Sequence, residues 1–419
     1  MADNVRQTKI GFIKEYLDAY YPEALRYDVV TDKLQYQDES GQWLELGKRM
    51  INTIVCECAT LSGKNITDKE VRTVLQSSEV PSVHPLRDYI RSLPSYDEAA
   101  GDWIGELANQ VRVIGDQERW VKVFTKWFVG MVASWMDDEV VNQHVLVLIG
   151  KQGIYKTTWL ERLLPPELRG YGTKLSNLHD LDKDDRLRLS ESALINIDEI
   201  DALTERELNQ MKSIITSADV NERAAYAYNK ERHIRLASFC ASGNKREFLT
   251  DTTGNRRWLP FEVESIESPF LHPTQPYKLY YAQAWWLIQK GFNYWFDTED
   301  IRSLESHTES FHRETSEEQL LPIYYTAVPS SDEAAVFRTT AEISAQLVYH
   351  GNIKHPMDLR ALGRVMSAMG YVSKRLGKTR ARGFLVIENQ VNSSTALALA
   401  QKIRAQEMAD KADKGHEVF

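Results

Sequence analysis

A continuous apolar run that ends directly in a glycine-containing loop constrains the fold of this 419-residue chain more than any other feature. The run is Val145–Ile149, and Gly150–Thr158 follows it with the sequence GKQGIYKTT. A run of this length, apolar at every position, is typical of a central parallel strand that is buried on both faces. A helical pattern begins at Thr158. The sequence therefore predicts a strand, a tight loop and a helix in succession.

The loop contains the residue types that bind phosphate groups. Glycines let backbone N–H groups turn inward, a lysine reaches the β- and γ-phosphates, a hydroxyl holds Mg²⁺, and the dipole of the following helix favours the anion. Tyr155 stands where the pattern GxxxxGK[ST] has its last glycine; because tyrosine resists a positive φ and adds bulk, we expect altered nucleotide affinity or turnover. The predicted nucleotide-binding residues are Gly150, Gly153, Ile154, Tyr155, Lys156, Thr157 and Thr158, with Lys156 also predicted to act in catalysis and Thr157 to bind the metal.

Two more apolar runs, Ala193–Ile197 and Leu236–Ala241, are separated by helix-length segments, and this alternation predicts an α/β fold. The first run ends in an acidic pair: we expect Asp198 to hold Mg²⁺ and Glu199 to orient or deprotonate the attacking water. Asn244 follows the second run and is expected to position that water near the γ-phosphate. Because these residues follow the glycine loop in order, they predict a site for ATP and Mg²⁺.

Arginine pairs and basic segments follow the acidic pair along the chain. Arg256 and Arg257 follow a glycine and could stabilise charge on a nucleotide held by a neighbouring subunit, which implies a ring. The alternative is a solvated surface pair. Basic and aromatic residues alternate in Asn221–Arg235, as in a loop that binds a nucleic-acid backbone, although an ordinary exposed hairpin fits as well. The most basic segment contains five further predicted nucleic-acid contacts, which are Lys374, Arg375, Lys378, Arg380 and Arg382.

Composition limits the classes of protein to which the chain can belong. With 42% hydrophobic and 26% charged residues it is globular, with room for two or three domains. The net charge of −9 argues against a protein that coats nucleic acid over its whole surface, so any such contact must use a local basic patch. No signal peptide or membrane-length apolar run is evident, and we expect a soluble, cytoplasmic protein with no membrane partner. Cys56, Cys58 and Cys240 lack the spacing of zinc ligands and are expected to be reduced core residues.

The sequence divides into six predicted segments. They are an α+β accessory domain at 1–98, a helical collar or linker at 99–138, a P-loop ATPase core at 139–265, a helical lid or connector at 266–331, a winged-helix-like domain at 332–390 and a charged tail at 391–419. In the second segment, aromatic residues recur every three or four positions from Trp120 to Trp135, a stripe that we expect to be core. In the fifth, two helical patterns precede the basic hairpin Val372–Ile387, which predicts the winged helix.

With these motifs in order, the chain resembles the virulence-associated protein E family, which is similar to superfamily 3 helicase ATPases of phages and mobile elements. The resemblance runs from about Pro85 to Phe261, and its most specific part is Phe248–Pro260. It implies an AAA+-like P-loop core between a helical N-terminal region and a small C-terminal domain. It also implies a hexameric ring that hydrolyses ATP when DNA stimulates it and moves DNA, expected to be single-stranded, through a central channel.

The resemblance also implies roles for individual residues. Lys156 and Thr157 match the lysine and hydroxyl of the Walker A loop. The Walker B pair matches Asp198 and Glu199. Asn244 matches the sensor asparagine, while Arg256 or Arg257 would be the arginine finger that acts on an adjacent subunit. The positions that match a DNA-gripping hairpin are Lys230, Arg232 and His233.

Three functions remain open at the level of sequence. The first is a replicative helicase or DNA translocase of a phage or mobile element. The second is a regulatory or signalling ATPase that oligomerises without unwinding DNA. The third is a DNA-binding initiator or packaging scaffold with little turnover, an alternative that Tyr155 leaves open. Relatives often carry a fused primase, but residues 1–98 contain no acidic cluster for nucleotidyl transfer, so a separate chain would do any priming.

Overall fold

The computed structural model describes residues 8–175, 183–222, 231–249, 255–270, 275–329, 334–351, 358–376 and 381–390. The chain divides into two compact units. The first unit contains Met1–Ile200, Asn209–Asn244 and Arg257–Ile301, and the second contains Asp201–Leu208, Lys245–Arg256 and Arg302–Phe419. The division into six segments stays a prediction, and its charged tail at 391–419 lies outside the described residues.

The first unit begins with a small sheet covered by helices. Its elements are α1 (Lys9–Tyr20), β1 (Leu25–Asp28), β2 (Lys33–Gln37), β3 (Trp43–Glu45), α2 (Lys48–Ser62), α3 (Asp68–Leu75), β4 (Ser82–Val83) and α4 (Pro85–Arg91). Helix α1 precedes the antiparallel hairpin of β1 and β2. The strand order is β3-β2-β1-β4. Strands β3 and β4 are too short to give a periodic pattern, which is why the sequence did not indicate them.

The prediction that all three cysteines are core residues is wrong for one of them. Cys58 and Cys240 are buried, whereas Cys56 is exposed. Cys56 and Cys58 both lie on α2, and residues two positions apart on a helix are separated by about 200° around its axis. Since Cys58 packs in the core with Ile54, Cys56 must face solvent.

A long buried helix follows this small sheet. The next elements are α5 (Trp103–Asn109), β5 (Val111–Val113) and α6 (Gln117–Met136). The aromatic stripe on α6 is core as predicted, because Trp120, Trp127 and Trp135 are each 0% exposed. The segment predicted to be helical at 99–138 also contains a strand, since β5 lies between α5 and α6. Strand β5 has only three residues and pairs with a strand far along the chain, so local periodicity does not indicate it.

The largest sheet of the described residues contains the apolar runs that the sequence analysis identified. The elements of this region are β6 (Val145–Ile149), α7 (Lys156–Glu161), β7 (Gly172–Leu175), α8 (Lys183–Glu191), β8 (Leu194–Ile197), α9 (Glu205–Thr216), β9 (Asp219–Glu222), β10 (Glu231–Ile234), β11 (Ser238–Gly243), β12 (Trp258–Ile266) and α10 (Tyr277–Gln289). The six strands lie in the order β5-β12-β6-β11-β8-β7. All neighbours pair in parallel except β5, which is antiparallel to β12. The predicted α/β class is therefore confirmed.

Strand β12 was not predicted, because a proline usually argues against a central strand. Pro260 pairs with Val147 of β6. The antiparallel partner β5 covers β12 only from Val263 onward, so it requires no N–H from Pro260. Pro260 thus lies outside the part of β12 that pairs with a strand on both sides, β5 on one and β6 on the other.

The hairpin of β9 and β10 ends at a buried arginine. Arg235 is 1% exposed, and its guanidinium donates to the backbone carbonyls of Ile214, Ile215, Ser217, Ala237 and Asn142. Burial lowers its pKa to about 9. Although the sequence groups Arg235 with the basic residues of a solvent-exposed loop, it joins the base of the hairpin to the end of α9 and to the segment before β6.

The second unit contains a small sheet with helices. Its remaining elements are α11 (Thr298–Glu309, whose first residues belong to the first unit), α12 (Ser316–Tyr324), β13 (Tyr325–Ala327), β14 (Val336–Thr339), α13 (Thr340–Gly351), α14 (Leu359–Ala368), β15 (Val372–Leu376) and β16 (Ala381–Glu388). Strand β16 pairs antiparallel with β13, β14 and β15. Helices α11 and α12 are separate, because Thr315 and Glu318 form a capping box that begins α12.

The core of the second unit lies between its helices and β16. Its fully buried residues include Leu320, Ile343, Leu362 and Phe384. Helix α14 begins at the N-cap Asp358, and the chain turns after it at Gly370, whose φ is 85°. Within the parts of the chain that the structure describes, no helix combines the length and the apolar character needed to span a membrane.

The buried guanidinium of Arg235 gives a stability prediction. In Arg235→Met a side chain of similar length remains, but several buried carbonyls lose their donor, and we expect the free energy of unfolding to fall by about 3 kcal/mol. Urea unfolding monitored by circular dichroism measures the change. The matched control Arg49→Met removes an exposed arginine from α2 and should shift stability by less than about 0.5 kcal/mol. Equal stability of the two variants would contradict the anchoring role.

Candidate functional site

The loop between β6 and α7 contains two residues in the left-handed region. Gly153 has a φ of 83°, and Tyr155 has a φ of 69° and a ψ of 17°. Glycine adopts this region freely, whereas another residue loses about 1–2 kcal/mol there. Tyr155 is 39% exposed, and its ring meets Phe270 edge to face, with the ring centroids 6.1 Å apart. Such a pair contributes about 0.5–1.5 kcal/mol, which offsets part of the cost.

Gly150 is required by a close approach of the backbone. A Cβ atom at this position would lie 2.8 Å from the carbonyl oxygen of Val263 in β12 and 3.1 Å from Ile154 Cδ1. The N–H of Gly150 also donates to the carbonyl of Gly243 at 3.1 Å. The start of the loop at Gly150 is therefore packed closely against β12 and Ile154 and hydrogen-bonded to the end of β11.

The ammonium group of Lys156 lies over the loop. Its Nζ donates to the carbonyl oxygens of Gly150 and Lys151, at 2.7 Å each, and to Oδ1 of Asn244 at 3.3 Å. Only 7% of Lys156 is exposed. Because the lysine is the first residue of α7, it lies beside the amino end of that helix, where the helix dipole favours an anion. A phosphate oxygen could accept the same hydrogen bonds from Nζ.

The carboxylate of Asp198 lies at the end of β8, where three side chains donate to it. Thr157 Oγ1 donates to Asp198 Oδ1 at 3.2 Å, and Ser242 Oγ donates to the same oxygen at 2.7 Å. The two hydroxyl oxygens are 3.0 Å apart. Lys174 Nζ lies 2.6 Å from the other oxygen, Oδ2. One carboxylate thus joins the loop, β11 and the edge strand β7.

These contacts determine the charge of Asp198. Burial, the largest single influence, raises its pKa, but Lys174, Ser242 and Thr157 together outweigh it, so the pKa of Asp198 lies below its ordinary value. The hydrogen bond to Asp198 in turn raises the pKa of Lys174. At neutral pH the site therefore holds a carboxylate beside an ammonium.

Sequence reasoning missed two of these residues. Ser242 directly follows the predicted run Leu236–Ala241 and lies two positions before Asn244, so its position carried a usable signal. Lys174 lies on β7, a short strand that no pattern predicted. Nothing in the local sequence separated it from other surface lysines.

Glu199 also has a left-handed backbone, with a φ of 54°. It is exposed and follows Asp198 at the point where β8 leaves the sheet, just before the short helical turn Ile200–Ala202. A positive φ is uncommon outside glycine, and such conformations cluster at functional sites.

A pocket of about 340 Å³ lies at the carboxyl edge of β6, β8 and β11. It brings together most of the predicted nucleotide-site residues. The residues that line it are Gln152, Gly153, Tyr155, Lys156, Thr157, Thr158, Asp198, Glu199, Ser242, Gly243 and Asn244. The predicted residues Gly150 and Ile154 do not line the pocket and instead support the loop.

The paired arginines lie on a short helical turn, Asn255–Arg257. Arg256 is exposed and belongs to the second unit, whereas Arg257 is half-buried and belongs to the first. Arg257 is not among the residues that line the pocket described above. The preceding part of the motif, residues 250–254, lies outside the described residues.

The predicted nucleic-acid contacts lie in two places. In the hairpin of β9 and β10, Arg232 pairs with Asn221 and His233 with Val220 through the backbone. On β15 and β16, exposed side chains occupy the predicted positions Lys374, Arg375 and Arg382. Three predicted contacts lie outside the described residues, namely Lys230, Lys378 and Arg380.

The oxygen atoms of the pocket fit a magnesium nucleotide. Mg²⁺ takes oxygen ligands, usually from one or two carboxylates together with phosphates and water. Thr157 and Asp198 supply a hydroxyl and a carboxylate 3.2 Å apart. The loop and Lys156 supply donors for phosphate oxygens. These residues could hold the metal and the phosphates, although Lys174 shares the same carboxylate.

Comparison with known proteins gives one family. The family model described as a virulence-associated protein E-like domain matches residues 99–313. No curated protein matches the chain in sequence. Among solved structures, the A form apo structure of the NrS-1 C-terminal region is 11% identical, with a TM-score of 0.44, and the alignment covers 91% of this chain and 99% of that chain. A further apo structure of that region is 10% identical, with a TM-score of 0.45 and the same coverage.

The left-handed backbone at Tyr155 can be tested with a pair of substitutions. Tyr155→Gly adopts a positive φ without strain, so we expect its affinity for ATP to stay within about threefold of wild type. Tyr155→Val places a β-branched residue there, and we expect at least about tenfold weaker binding because the loop must shift to relieve about 2 kcal/mol of strain. Isothermal titration calorimetry measures both affinities. Tight binding by the valine variant would show that the loop does not need this conformation.

Proposed function

This chain belongs to the virulence-associated protein E-like domain family, and on that premise we propose that it is an ATP-dependent DNA helicase or translocase in the replication of a phage or mobile element. One observation carries the proposal: a lysine, three serine or threonine hydroxyls, two acidic residues and an asparagine surround one pocket. That set supports hydrolysis of a nucleoside triphosphate.

Each residue has a role in the proposed hydrolysis. Lys156 exchanges its carbonyl partners for oxygens of the β- and γ-phosphates. Thr157 and Asp198 would hold Mg²⁺, which would neutralise charge on the phosphates. Glu199 orients or deprotonates the attacking water, and Asn244 positions it against the γ-phosphate. The exposed position of Glu199 and its place in the pocket lining support this assignment.

The hydrogen bonds of Lys156 and Asn244 give these two side chains a defined geometry before a nucleotide binds. Asn244 and Lys156 are already within 3.3 Å of each other. The γ-phosphate would lie between the loop and the end of β11, where both side chains reach it. Binding therefore replaces existing contacts of Lys156 rather than ordering a free side chain, which limits the loss of conformational entropy.

The domain identities belong to the same proposal. The succession of β6, the glycine loop and α7 supports a P-loop core of the AAA+ type. In the second unit, the order α12, β14, α13, α14, β15, β16 supports a winged helix, with β15 and β16 as its wing. A hexameric ring around single-stranded DNA, an arginine finger from Arg256 or Arg257, and priming by a separate chain complete the proposal.

A DNA-stimulated ATPase assay tests the function. We expect single-stranded DNA to raise the rate of phosphate release, and Lys156→Ala to lower that rate by about 100-fold or more because the phosphates lose their cation. Lys151→Ala is the matched control, since it removes an exposed lysine from the same loop. A rate indifferent to DNA would favour the regulatory ATPase, and DNA binding without hydrolysis would favour the initiator. A separate strand-displacement assay measures unwinding.

Mixing two inactive variants tests the ring. Lys156→Ala lacks a working site but keeps its arginines, whereas Arg256→Ala or Arg257→Ala keeps the site and lacks the finger. If the finger acts on a neighbouring subunit, an equimolar mixture should recover about a quarter of the wild-type ATPase rate, since one interface in four pairs an intact site with an intact finger. No recovery with either arginine variant, together with a monomeric mass in the presence of ATP, would contradict the ring.

A further inference from the structure

We propose that the second unit binds duplex DNA in a basic groove between α13, α14 and β16, with Arg360, Arg364 and Arg382 as its phosphate contacts. This interaction is independent of the nucleotide pocket. It also differs from the predicted passage of a single strand through a ring. Two of the three arginines lie on α14, outside the basic hairpin that the sequence identified.

The groove has a volume of about 910 Å³, and its lining combines three arginines and three hydroxyl side chains with the small or apolar residues Ala341, Leu359, Gly363 and Ala368. Besides the three arginines, Thr339, Thr340 and Ser367 contribute to its surface. Neither an acidic side chain nor an aromatic ring belongs to the described residues that line it. Arginine and hydroxyl groups are the usual partners of phosphate oxygens in DNA complexes.

Helix α14 has one apolar face and one basic face. Leu362 and Met366 are 0% exposed and face the core. Arg360, Arg364 and Ser367, spaced four and three residues apart, lie together on the opposite face and are exposed. A helix about 10–12 Å wide with such a face fits the major groove of DNA, which is about 12 Å wide. The basic face is thus free of the packing that holds the helix in the unit.

The wing continues the positive surface. Arg375 and Arg382 are directly paired across β15 and β16, and both are exposed. Like charges placed opposite each other on one face of a sheet repel and lower stability. Lys374, next to Arg375, is also exposed, but on the other face of the hairpin, because side chains alternate along a strand. A polyanion bound along the hairpin would relieve this repulsion.

In the part of the chain that the structure describes, two acidic residues near the groove accept hydrogen bonds at the starts of α13 and α14. Asp358 caps α14 by accepting from the N–H groups of Arg360 and Ala361. Glu342 accepts from the backbone and hydroxyl of Thr339.

The contrast with a neighbouring arginine on the same sheet supports the assignment. Arg338 pairs with Glu388 at 2.6 Å, whereas among the described residues no ion pair joins Arg360, Arg364 or Arg382 to a carboxylate. The arginines of the groove therefore keep their charge available for a ligand.

The composition of the groove favours a duplex over a single strand. Sites for single strands combine cations with aromatic rings on which the bases stack. The groove offers arginines and hydroxyls on a helix and a hairpin, which match the phosphates that border a groove of duplex DNA. A free single strand would leave its bases without a stacking partner there.

Fluorescence anisotropy with a labelled 20-base-pair duplex and its single strand tests the proposal on the full chain without nucleotide. We expect Arg360→Ala/Arg364→Ala to weaken duplex binding by about tenfold or more and to reduce the slope of log K against log salt by about 2, because two phosphate contacts are lost. Single-strand affinity should change by less than about twofold. The charge-conserving Arg360→Lys/Arg364→Lys should keep most of the duplex affinity.

The matched control is Arg206→Ala/Arg302→Ala, which removes two exposed arginines from helices α9 and α11 of the same unit and should leave duplex binding unchanged. Unchanged duplex affinity of Arg360→Ala/Arg364→Ala overturns the proposal. An equal loss of affinity for duplex and single strand also overturns it, as does an equal loss of duplex affinity in the control variant. Lys156→Ala should bind duplex as wild type does. A failure of the ATPase proposal would therefore leave this result intact, and the reverse also holds.

Discussion

The parallel pairing of β6 with β11 on one edge and β12 on the other is the constraint on which the rest of the structure depends. All five residues of β6 are buried, so the strand can lie only in the middle of a sheet covered on both faces. Parallel pairing brings the carboxyl ends of β6, β11 and β8 to one edge. The loop after β6, the hydroxyl and amide at the end of β11 and the carboxylate after β8 therefore meet within hydrogen-bond distance, although about ninety residues separate them along the chain.

The charges at this edge are balanced within the protein itself. Asp198 would be costly to hold as a half-buried carboxylate without partners, but two hydroxyls and Lys174 stabilise it. The site consequently keeps its geometry through contacts between its own residues. Lys156 is likewise held by backbone carbonyls rather than extending into solvent. A polar cluster satisfied in this way is rigid, which is what precise placement of a phosphate group requires.

Much of this arrangement could be predicted from the sequence, because β6, β8 and β11 are uninterrupted apolar runs and each is followed by a polar residue of defined chemistry. The rest depends on long-range pairing. Strand β12 was not predicted because it contains Pro260. The role of Lys174 was not predicted because β7 is too short to give a recognisable pattern. Arg235 was grouped with surface cations because a sequence gives its charge but not its burial. The basic face of α14 was also missed, since two arginines among apolar residues are ordinary for an amphipathic helix until tertiary packing shows which side is covered.

The conformation of Tyr155 has a consequence for how such loops are recognised. The turn before α7 depends on a pair of backbone angles, here φ 69° and ψ 17°, and a tyrosine attains them at a modest energetic cost. The pattern GxxxxGK[ST] does not match this chain at position 155, because it requires a glycine there. The backbone angles at that position nevertheless have the positive φ for which glycine is suited. At this position the chain therefore has a residue type that the pattern lacks, with a positive φ of the kind that glycine adopts freely. The absence of a final glycine is in itself no sign that a chain has abandoned the loop.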